Sequence, residues 1–370
     1  MFLKKLALTG FKNYADAELM FSDKINCFVG NNGAGKTNIL DAIYYLSFCK
    51  SYFNSIDTQN IKHGNDFFAV HGNYHNQLNT SDKVSCIQKR SHKKEFKLNN
   101  KTYSRLADHI GLFPLVMISP YDRDLINDGS EHRRKYIDGV ISQFDKAYLD
   151  DLLSYNKGVQ QRNVLLKQMH ESRVFDSVSI EIWNDKLIKH GSRIFEKRKM
   201  FLEEFNPLFE KYYQTLSGGK ENVNIHYDSQ LDNTSFKDLL EEFIDRDRVL
   251  KYTSKGIHKD DLILTINDYP IKKYGSQGQQ KSFVIAIKLA QFEFTRRVKD
   301  FKPILLFDDI FDKLDDSRVM QIIQLVSENN FGQVFITDTQ RVRVERIFKT
   351  VEIDHKIFEV HNGQLKVTDD

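Results

Sequence analysis

The segment from Gly30 to Thr37 has the residue types and spacing of a phosphate-binding loop. It reads Gly-Asn-Asn-Gly-Ala-Gly-Lys-Thr and satisfies G-x-x-x-x-G-K-[ST] in full, with an apolar run before it and a helix-periodic run after it. Small residues let backbone amides close around phosphates, and a helix start adds positive partial charge. We expect the Lys36 ammonium to contact the outer phosphates and the Thr37 hydroxyl to hold Mg²⁺. The predicted nucleotide contacts are Gly30, Asn31, Asn32, Gly33, Ala34, Gly35, Lys36, Thr37 and Asn38.

A second feature, which is acidic, lies far downstream. There the apolar segment Pro303–Phe307 ends in Asp308 and Asp309. Adjacent carboxylates at the end of a buried strand are costly unless a cation or a proton transfer uses them. By itself the pattern also fits a solvated strand edge. Behind a phosphate loop it predicts that Asp308 holds Mg²⁺ through water and that Asp309 polarises an attacking water. The sequence therefore predicts ATP hydrolysis, with ATP and Mg²⁺ as cofactors and Lys36 and Asp309 as catalytic residues.

Dimeric ATPases of the ABC class complete each site with a Ser-Gly-rich signature loop that starts a helix in the partner protomer. The sequence offers two candidates, Leu216–Lys220 and Tyr274–Lys281. The first is more similar to the transporter signature LSGGQ, but a strand pattern follows it, so we predict a hairpin or loop there. Tyr274–Lys281 instead opens a helix-periodic run. We expect this second segment to be the signature loop, with Ser276, Gln277, Gly278 and Gln280 at the nucleotide and with Ser276 and Gln279 in catalysis.

Two shorter features complete the predicted site. Lys313–Asp316 follows Asp309 at the spacing of a loop that meets its twin across a dimer, and Asp315 is predicted to contact the nucleotide. The strand pattern Gln333–Thr337 ends where ABC ATPases often place a histidine. The chain has none there, and we expect Thr337 to supply part of that role.

The order of elements indicates one α/β domain interrupted by an insertion. Strand patterns surround one helix in the first quarter, helical spacing dominates from about residue 121 to 215, and strand–helix alternation returns after Asn267. We predict an α/β, ABC-type, SMC-like ATPase head with a phosphate loop, split by a mainly helical lid, without a long coiled coil. The head is predicted over 1–120 plus 255–370 and the lid over 121–254, with a long helix or helix pair near Trp183–Leu208.

The amino-acid composition narrows the class of protein to which the chain can belong. The chain has 370 residues, 54 basic against 51 acidic side chains, a net charge of +3 and 40% apolar residues, which argues against disorder. No apolar run approaches the roughly 20 residues that span a bilayer. No secretory signal is visible, and the three cysteines read as reduced thiols, so a cytoplasmic location without a membrane partner is expected.

Residues 82–105 carry eight basic and two acidic side chains. This run of charge fits either a solvated face or a ribbon that binds the DNA backbone. Residues 193–199 are predicted to be an exposed basic helix face.

The motifs together resemble the RecF family of bacterial recombination and gap-repair ATPases, in the ABC/SMC-like class. The matching segments are Gly10–Tyr14, Gly30–Thr37, Ile118–Asp122, Arg133–Asp138, Gly256–Leu262 and Tyr274–Lys281. Departures are Lys50–Asn54, where the family has more basic character, and Asp312 and Lys313, where it prefers Ser and Glu.

The resemblance implies several properties beyond the residues themselves. Lys12 would lie near the adenine, and ATP would drive a head-to-tail homodimer. It implies a slow, DNA-stimulated ATPase that binds duplex DNA, single strands and gap junctions. It also implies RecR and RecO as pathway partners in recombinase loading, replication restart and the SOS response, at the bacterial nucleoid.

Three alternatives stay open at this point. A transporter's nucleotide-binding subunit would use Leu216–Lys220 as its signature and would have a membrane partner. An SMC-like structural DNA-binding protein would bind ATP with little turnover. An ATPase fused to a nuclease would need a further acidic metal cluster, which the sequence does not show beyond Asp308 and Asp309.

Overall fold

The chain divides into two compact units, one formed by Met1–Asp122 with Lys288–Asp370 and the other by Arg123–Ile287. The computed structural model describes residues 1–75, 80–219, 221–309, 321, 324, 331–349 and 354–368. Outside these described residues lie Lys220, Asp312 and the predicted dimer-contact loop Lys313–Asp316 with Asp315. Cys27, Cys49 and Cys86 are buried and unbridged, as expected for reduced thiols. Of the helices that the structure describes, none combines the length and apolar character needed to cross a bilayer.

The secondary structure alternates between sheets and helices in the order that the sequence predicts. The strands are β1 (Phe2–Phe11), β2 (Tyr14–Met20), β3 (Ile25–Val29), β4 (Phe67–His75), β5 (Ser81–Lys89), β6 (Glu95–Leu98), β7 (Lys101–Thr102), β8 (Leu115–Ile118), β9 (Val223–Asp228), β10 (Asp261–Ile266), β11 (Tyr269–Pro270), β12 (Ile304–Phe307), β13 (Val334–Asp338), β14 (His355–His361) and β15 (Gln364–Thr368). The helices are α1 (Lys36–Phe48), α2 (Asp124–Asn127), α3 (Ser130–Ser142), α4 (Lys146–Ser172), α5 (Ser177–Ser217), α6 (Phe236–Glu242), α7 (Ile244–Leu250), α8 (Ile271–Tyr274), α9 (Gln277–Lys299) and α10 (Arg341–Lys349).

A mainly parallel sheet in the first unit has the strand order β15-β14-β3-β13-β12-β8. Strands β3, β12 and β13 are buried along their whole length, as expected for parallel strands covered on both faces. They are also neighbours, because β13 pairs with β3 on one side and with β12 on the other. The segments after these three strands therefore meet at one edge of the sheet, at the carboxyl ends where α/β sheets bind ligands.

An antiparallel sheet of order β2-β1-β4-β5-β6-β7 forms the rest of this unit's framework. Side chains of both sheets and of helix α1 join one buried cluster, exemplified by Phe68, Ile43 and Phe335. The apolar face of α1 is thereby fixed, and with it the loop that leads into the helix.

The second unit contains a small antiparallel sheet of order β11-β10-β9 and the long helices α4 and α5. Helix α5 is a single helix of 41 residues, where the sequence left a helix pair open. Because β10 pairs with β9, residues 255–287 pack within this unit. The predicted domain division instead counts them with the head, and that division stays a prediction.

The predicted exposed basic face over 193–199 is wrong for one of its residues. Arg193, Lys197 and Lys199 are exposed, but Arg198 is 1% exposed. Its guanidinium lies 2.8 Å from the Asp138 carboxylate and donates to the Ile257 carbonyl at 3.0 Å. A buried guanidinium needs such partners, and these come from distant segments that the local sequence does not reveal.

His109 is a buried residue whose titration is coupled to the stability of the first unit. Its Nε2 donates to the Leu46 carbonyl at 2.7 Å, its Nδ1 lies 3.1 Å from the Tyr103 hydroxyl, and burial lowers its pKa to about 4. A depressed histidine pKa gives stability that is present above the unfolded value and lost as the pH falls.

We expect the free energy of unfolding of the wild type to fall by about 2 kcal/mol more than that of His109→Gln between pH 7 and pH 5. Urea unfolding of both proteins at the two pH values measures this difference. Equal losses in the two proteins would show that His109 does not carry the effect.

Candidate nucleotide-binding site

The predicted phosphate-binding loop, between β3 and α1, is closed around the side chain of its own lysine. The Lys36 ammonium donates to the Gly30 carbonyl at 2.7 Å and to the Asn31 carbonyl at 2.9 Å. Gly35 has φ +117°, and a Cβ there would lie 2.4 Å from the Asn13 amide nitrogen. Only glycine fits this position, so the motif's final glycine is required by both conformation and space.

Asn13 and Tyr14, which are not among the predicted nucleotide contacts, hold this loop in shape. The Asn13 amide donates to the Ala34 carbonyl at 3.0 Å and accepts from the Asn38 amide at 2.8 Å. The Tyr14 hydroxyl donates to the Gly35 carbonyl at 3.1 Å, and burial raises the pKa of Tyr14. Both residues lie in the Gly10–Tyr14 segment, in which Lys12 is the predicted nucleotide contact.

Lys12 itself makes an ion pair inside the first unit. Its ammonium lies 2.6 Å from the carboxylate of Asp41, a fully buried residue of α1, and 5.2 Å from the Phe53 ring centroid. Asp41 also accepts from the Ser51 hydroxyl at 2.7 Å. The predicted contact of Lys12 with the adenine stays a prediction.

The two predicted magnesium ligands are in direct contact. The Thr37 hydroxyl donates to the Asp308 carboxylate at 2.8 Å, across 271 positions of sequence. Burial raises the pKa of Asp308, Asp309 raises it further, and the hydrogen bonds from Thr37 and Thr337 oppose this. Hydroxyl and carboxylate oxygens are the donors that Mg²⁺ prefers, so the residues fit this ion.

The acidic pair is positioned by the neighbouring strand β13. The Thr337 hydroxyl donates to the Asp308 carboxylate at 3.0 Å and accepts from the Asp309 backbone amide at 2.9 Å. Asp309 has φ +48°, a left-handed conformation that Asp adopts more readily than most non-glycine residues. Asp338, next to Thr337, is fully buried and paired with Arg343 at 2.8 Å.

Charge around Lys36 follows from the same arrangement. Burial lowers the pKa of Lys36, while Asp309, Asp308 and Asp338 act against this. The strand ends thus gather three carboxylates near one ammonium at the carboxyl edge of the parallel sheet.

The predicted signature loop belongs to the second unit and opens α9. The Ser276 amide donates to the Gln279 side-chain oxygen at 2.6 Å, and the Gln279 amide donates to the Ser276 hydroxyl at 3.2 Å. This reciprocal pair is a capping box, which fixes a helix N-terminus. Ser276 and Gln277 are exposed, whereas Gln280 is buried and donates to the Gly275 carbonyl at 3.2 Å. The roles predicted for these residues at a nucleotide stay predictions.

The rival segment Leu216–Lys220 lies at the opposite kind of helix end. Leu216 and Ser217 are the last residues of α5, and Gly218 caps it with φ +79° and an amide donated to the Gln214 carbonyl at 3.0 Å. A helix C-terminus carries negative partial charge and disfavours phosphate. The prediction that this segment is not the signature loop agrees with that geometry.

Comparison with known proteins identifies the family. The model of the RecF/RecN/SMC N terminal domain matches residues 2–364. A curated protein of Flavobacterium johnsoniae, described as DNA replication and repair protein RecF, is 52% identical over 358 residues, covering 97% of this chain and 99% of that protein. The chain belongs to the RecF family.

Further relatives agree. A protein of Phocaeicola vulgatus with the same description is 49% identical over 366 residues, covering 99% of this chain and 98% of that protein. A solved structure described as the recombination mediator protein RecF-ATP in the RecFOR pathway has a TM-score of 0.90 at 29% identity, covering 100% of this chain and 98% of that one.

These findings confirm the resemblance and the fold class. The chain has the α/β head of SMC-type and RecF-type ABC ATPases with a mainly helical insertion, in a family of DNA replication and repair proteins. The transporter-subunit alternative is not retained.

Proposed function

We propose that this chain is a DNA-binding ATPase of recombinational gap repair and replication restart, which dimerises head to tail on ATP and releases DNA on slow hydrolysis. The observation that carries the proposal is the 2.8 Å contact between the Thr37 hydroxyl and the Asp308 carboxylate. It joins the phosphate loop to the acidic strand end at the edge that receives Lys36.

The chain's own residues have separable tasks in binding and hydrolysis. Lys36 exchanges the Gly30 and Asn31 carbonyls for phosphate oxygens, and the loop amides and the α1 N-terminus add positive charge. Thr37 and Asp308 would hold Mg²⁺, which would neutralise phosphate charge when bound. Asp309 orients a water and takes its proton, while Thr337 fixes the backbone that presents Asp309.

The second half of each site comes from the other protomer. The Ser276 loop ends in a helix N-terminus fixed by a capping box, and Ser276 and Gln277 are exposed. Such an end is suited to a γ-phosphate bound by another copy of the chain.

Replacing Ser276 by arginine tests this arrangement. We expect Ser276→Arg to remove ATP-dependent dimers in sedimentation velocity while the monomer keeps its ATP affinity in calorimetry, because the bulky side chain obstructs only the contact between protomers. Val249→Arg, at an exposed position on α7, is the control and should dimerise normally. An unimpaired Ser276→Arg dimer would contradict the role of the loop.

The basic ribbon formed by residues 82–105 supports DNA binding through a subset of its cations. Lys83, Lys89, Lys93 and Lys101 are exposed on and between β5, β6 and β7. Lys94 faces inward, with its ammonium 2.7 Å from the Asp57 carboxylate and 2.5 Å from the Cys49 carbonyl. Exposed lysines without base-reading partners favour contact with phosphates.

We expect Lys89→Ala to weaken binding of all DNA sequences alike and to lower the salt slope of log K by about 1. Fluorescence anisotropy across a salt series, with ATP, on duplex, single-strand and gapped DNA measures this. Lys5→Ala, whose ammonium pairs with Glu18 at 2.6 Å on another strand pair, is the control. An unchanged slope for Lys89→Ala would remove the ribbon from the interface.

Partners and turnover rest on the family. We propose weak, DNA-stimulated ATP hydrolysis, action with RecR and RecO in loading recombinase at single-strand gaps, and a cytoplasmic location at the nucleoid. Steady-state hydrolysis with and without DNA separates this from the SMC-like structural alternative, which predicts ATP binding without turnover.

A further inference from the structure

The side-chain amide of Gln279 is held at both ends. Its oxygen accepts from the Ser276 backbone amide at 2.6 Å, and its nitrogen donates to the carboxylate of Glu221. The other oxygen of Glu221 accepts from the hydroxyl of Tyr213, a fully buried residue of α5, at 2.5 Å. A short chain of hydrogen bonds thus runs from the core of the second unit to the first turn of α9.

Glu221 sits on a connection that is fastened on both sides. Before it, the amides of Gly218 and Gly219 donate to the Gln214 carbonyl at 3.0 and 3.1 Å. After it, the Asn222 amide donates to the Asn267 side-chain oxygen at 2.9 Å, which ties the connection to the β10–β11 turn. The hydrogen bond of Asn222 fixes the backbone directly after Glu221, which favours a positioning role for the carboxylate.

We propose that Glu221 is a positioning residue for the signature loop. Its carboxylate sets the orientation of the Gln279 amide, and the capping box passes that orientation to Ser276. This inference rests on the proposed role of the Ser276 loop at the partner protomer's nucleotide.

The choice of side chain follows from the hydrogen-bond chemistry. The Gln279 nitrogen and the Tyr213 hydroxyl both act as donors here, so the residue between them must accept twice. Alanine accepts from neither, whereas the carbonyl oxygen of glutamine still accepts from the Gln279 nitrogen. Loss of one hydrogen bond to a charged group corresponds to about a tenfold change in an equilibrium constant.

The test compares Glu221→Ala, Glu221→Gln and Glu210→Ala. Glu210 also accepts from a glutamine amide, that of Gln214 at 3.2 Å, but on the surface of α5. We expect Glu221→Ala to weaken ATP-dependent dimerisation about tenfold and to speed deuterium exchange over residues 276–282. Glu221→Gln should restore most of both, Glu210→Ala should change neither, and ATP binding by the monomer should be the same in all.

The outcomes separate this inference from the proposed function. Unchanged exchange and dimerisation in Glu221→Ala, or no rescue by Glu221→Gln, would overturn the positioning role. If the wild-type protein does not dimerise with ATP, the proposed function is wrong. In that case, faster exchange in Glu221→Ala with rescue by Glu221→Gln still supports the role of Glu221 in positioning the Ser276 loop. Unchanged exchange overturns that role.

Discussion

Lys36→Ala is expected to weaken ATP binding roughly 30-fold to 5,000-fold, because truncating one partner of a buried charge contact costs about 2–5 kcal/mol. Lys36 is 7% exposed, and its ammonium is held where the loop carbonyls of Gly30 and Asn31 converge. The short alanine side chain leaves the phosphates without a cation from the protein. Isothermal titration calorimetry with ATP and Mg²⁺ measures the loss.

The matched control for this experiment is Lys4→Ala, which removes an exposed lysine of β1. It should bind ATP as the wild type does. If Lys36→Ala also retained full affinity, the assignment of Gly30–Thr37 as the phosphate loop would be wrong.

Asp309→Asn is expected to slow ATP hydrolysis about 10²-fold to 10⁴-fold, the usual range for loss of a general base. The amide cannot take a proton from water, yet Thr37, Asp308 and their 2.8 Å contact stay in place, so ATP affinity should be kept. The ATP-bound dimer should then persist longer. Steady-state phosphate release gives the rate, and the decay of dimers after removal of free ATP gives the lifetime.

An exposed carboxylate offers the control for charge alone. Asp23→Asn, on the turn before β3, should leave rate and lifetime unchanged. An Asp309→Asn protein with wild-type hydrolysis would place the base elsewhere.

The parts of the site that the sequence predicted are those with local causes. The loop from Gly30 to Thr37 depends on positive φ angles at Gly30, Gly33 and Gly35, a conformational constraint that acts within a few residues. Asp308 and Thr37 are distant in sequence, but parallel buried strands bring their carboxyl ends to one edge, so their meeting was also predictable.

The parts that were missed depend on partners set by the tertiary fold. Lys94 belongs to a basic run, yet its ammonium points inward. There it contacts the Asp57 carboxylate, the Tyr45 hydroxyl and the Cys49 carbonyl. Arg198 can be buried because its guanidinium donates to the carboxylate of Asp138, which lies 60 positions away in the sequence. Glu221 meets Gln279 across 58 positions of sequence. Residue spacing along one segment carries no signal for such contacts.

Asn13 and Tyr14 form a middle case. Their segment was recognised, but their side chains point to backbone carbonyls of the phosphate loop rather than carrying charge. Side chains that act by holding a loop in shape carry no charge or nucleophile that would mark them in the sequence.

The most direct test of the composite site mixes two defective proteins. Lys36→Ala has a defective phosphate loop and Ser276→Arg has a defective signature loop. Neither protein alone should therefore dimerise with ATP or hydrolyse it. In an equimolar mixture, a two-fold head-to-tail dimer joins the intact phosphate loop of one protein to the intact signature loop of the other. The proposed mechanism predicts ATP-dependent dimers and hydrolysis at up to about half of the wild-type rate in that mixture. A mixture as inactive as its separate components would contradict it.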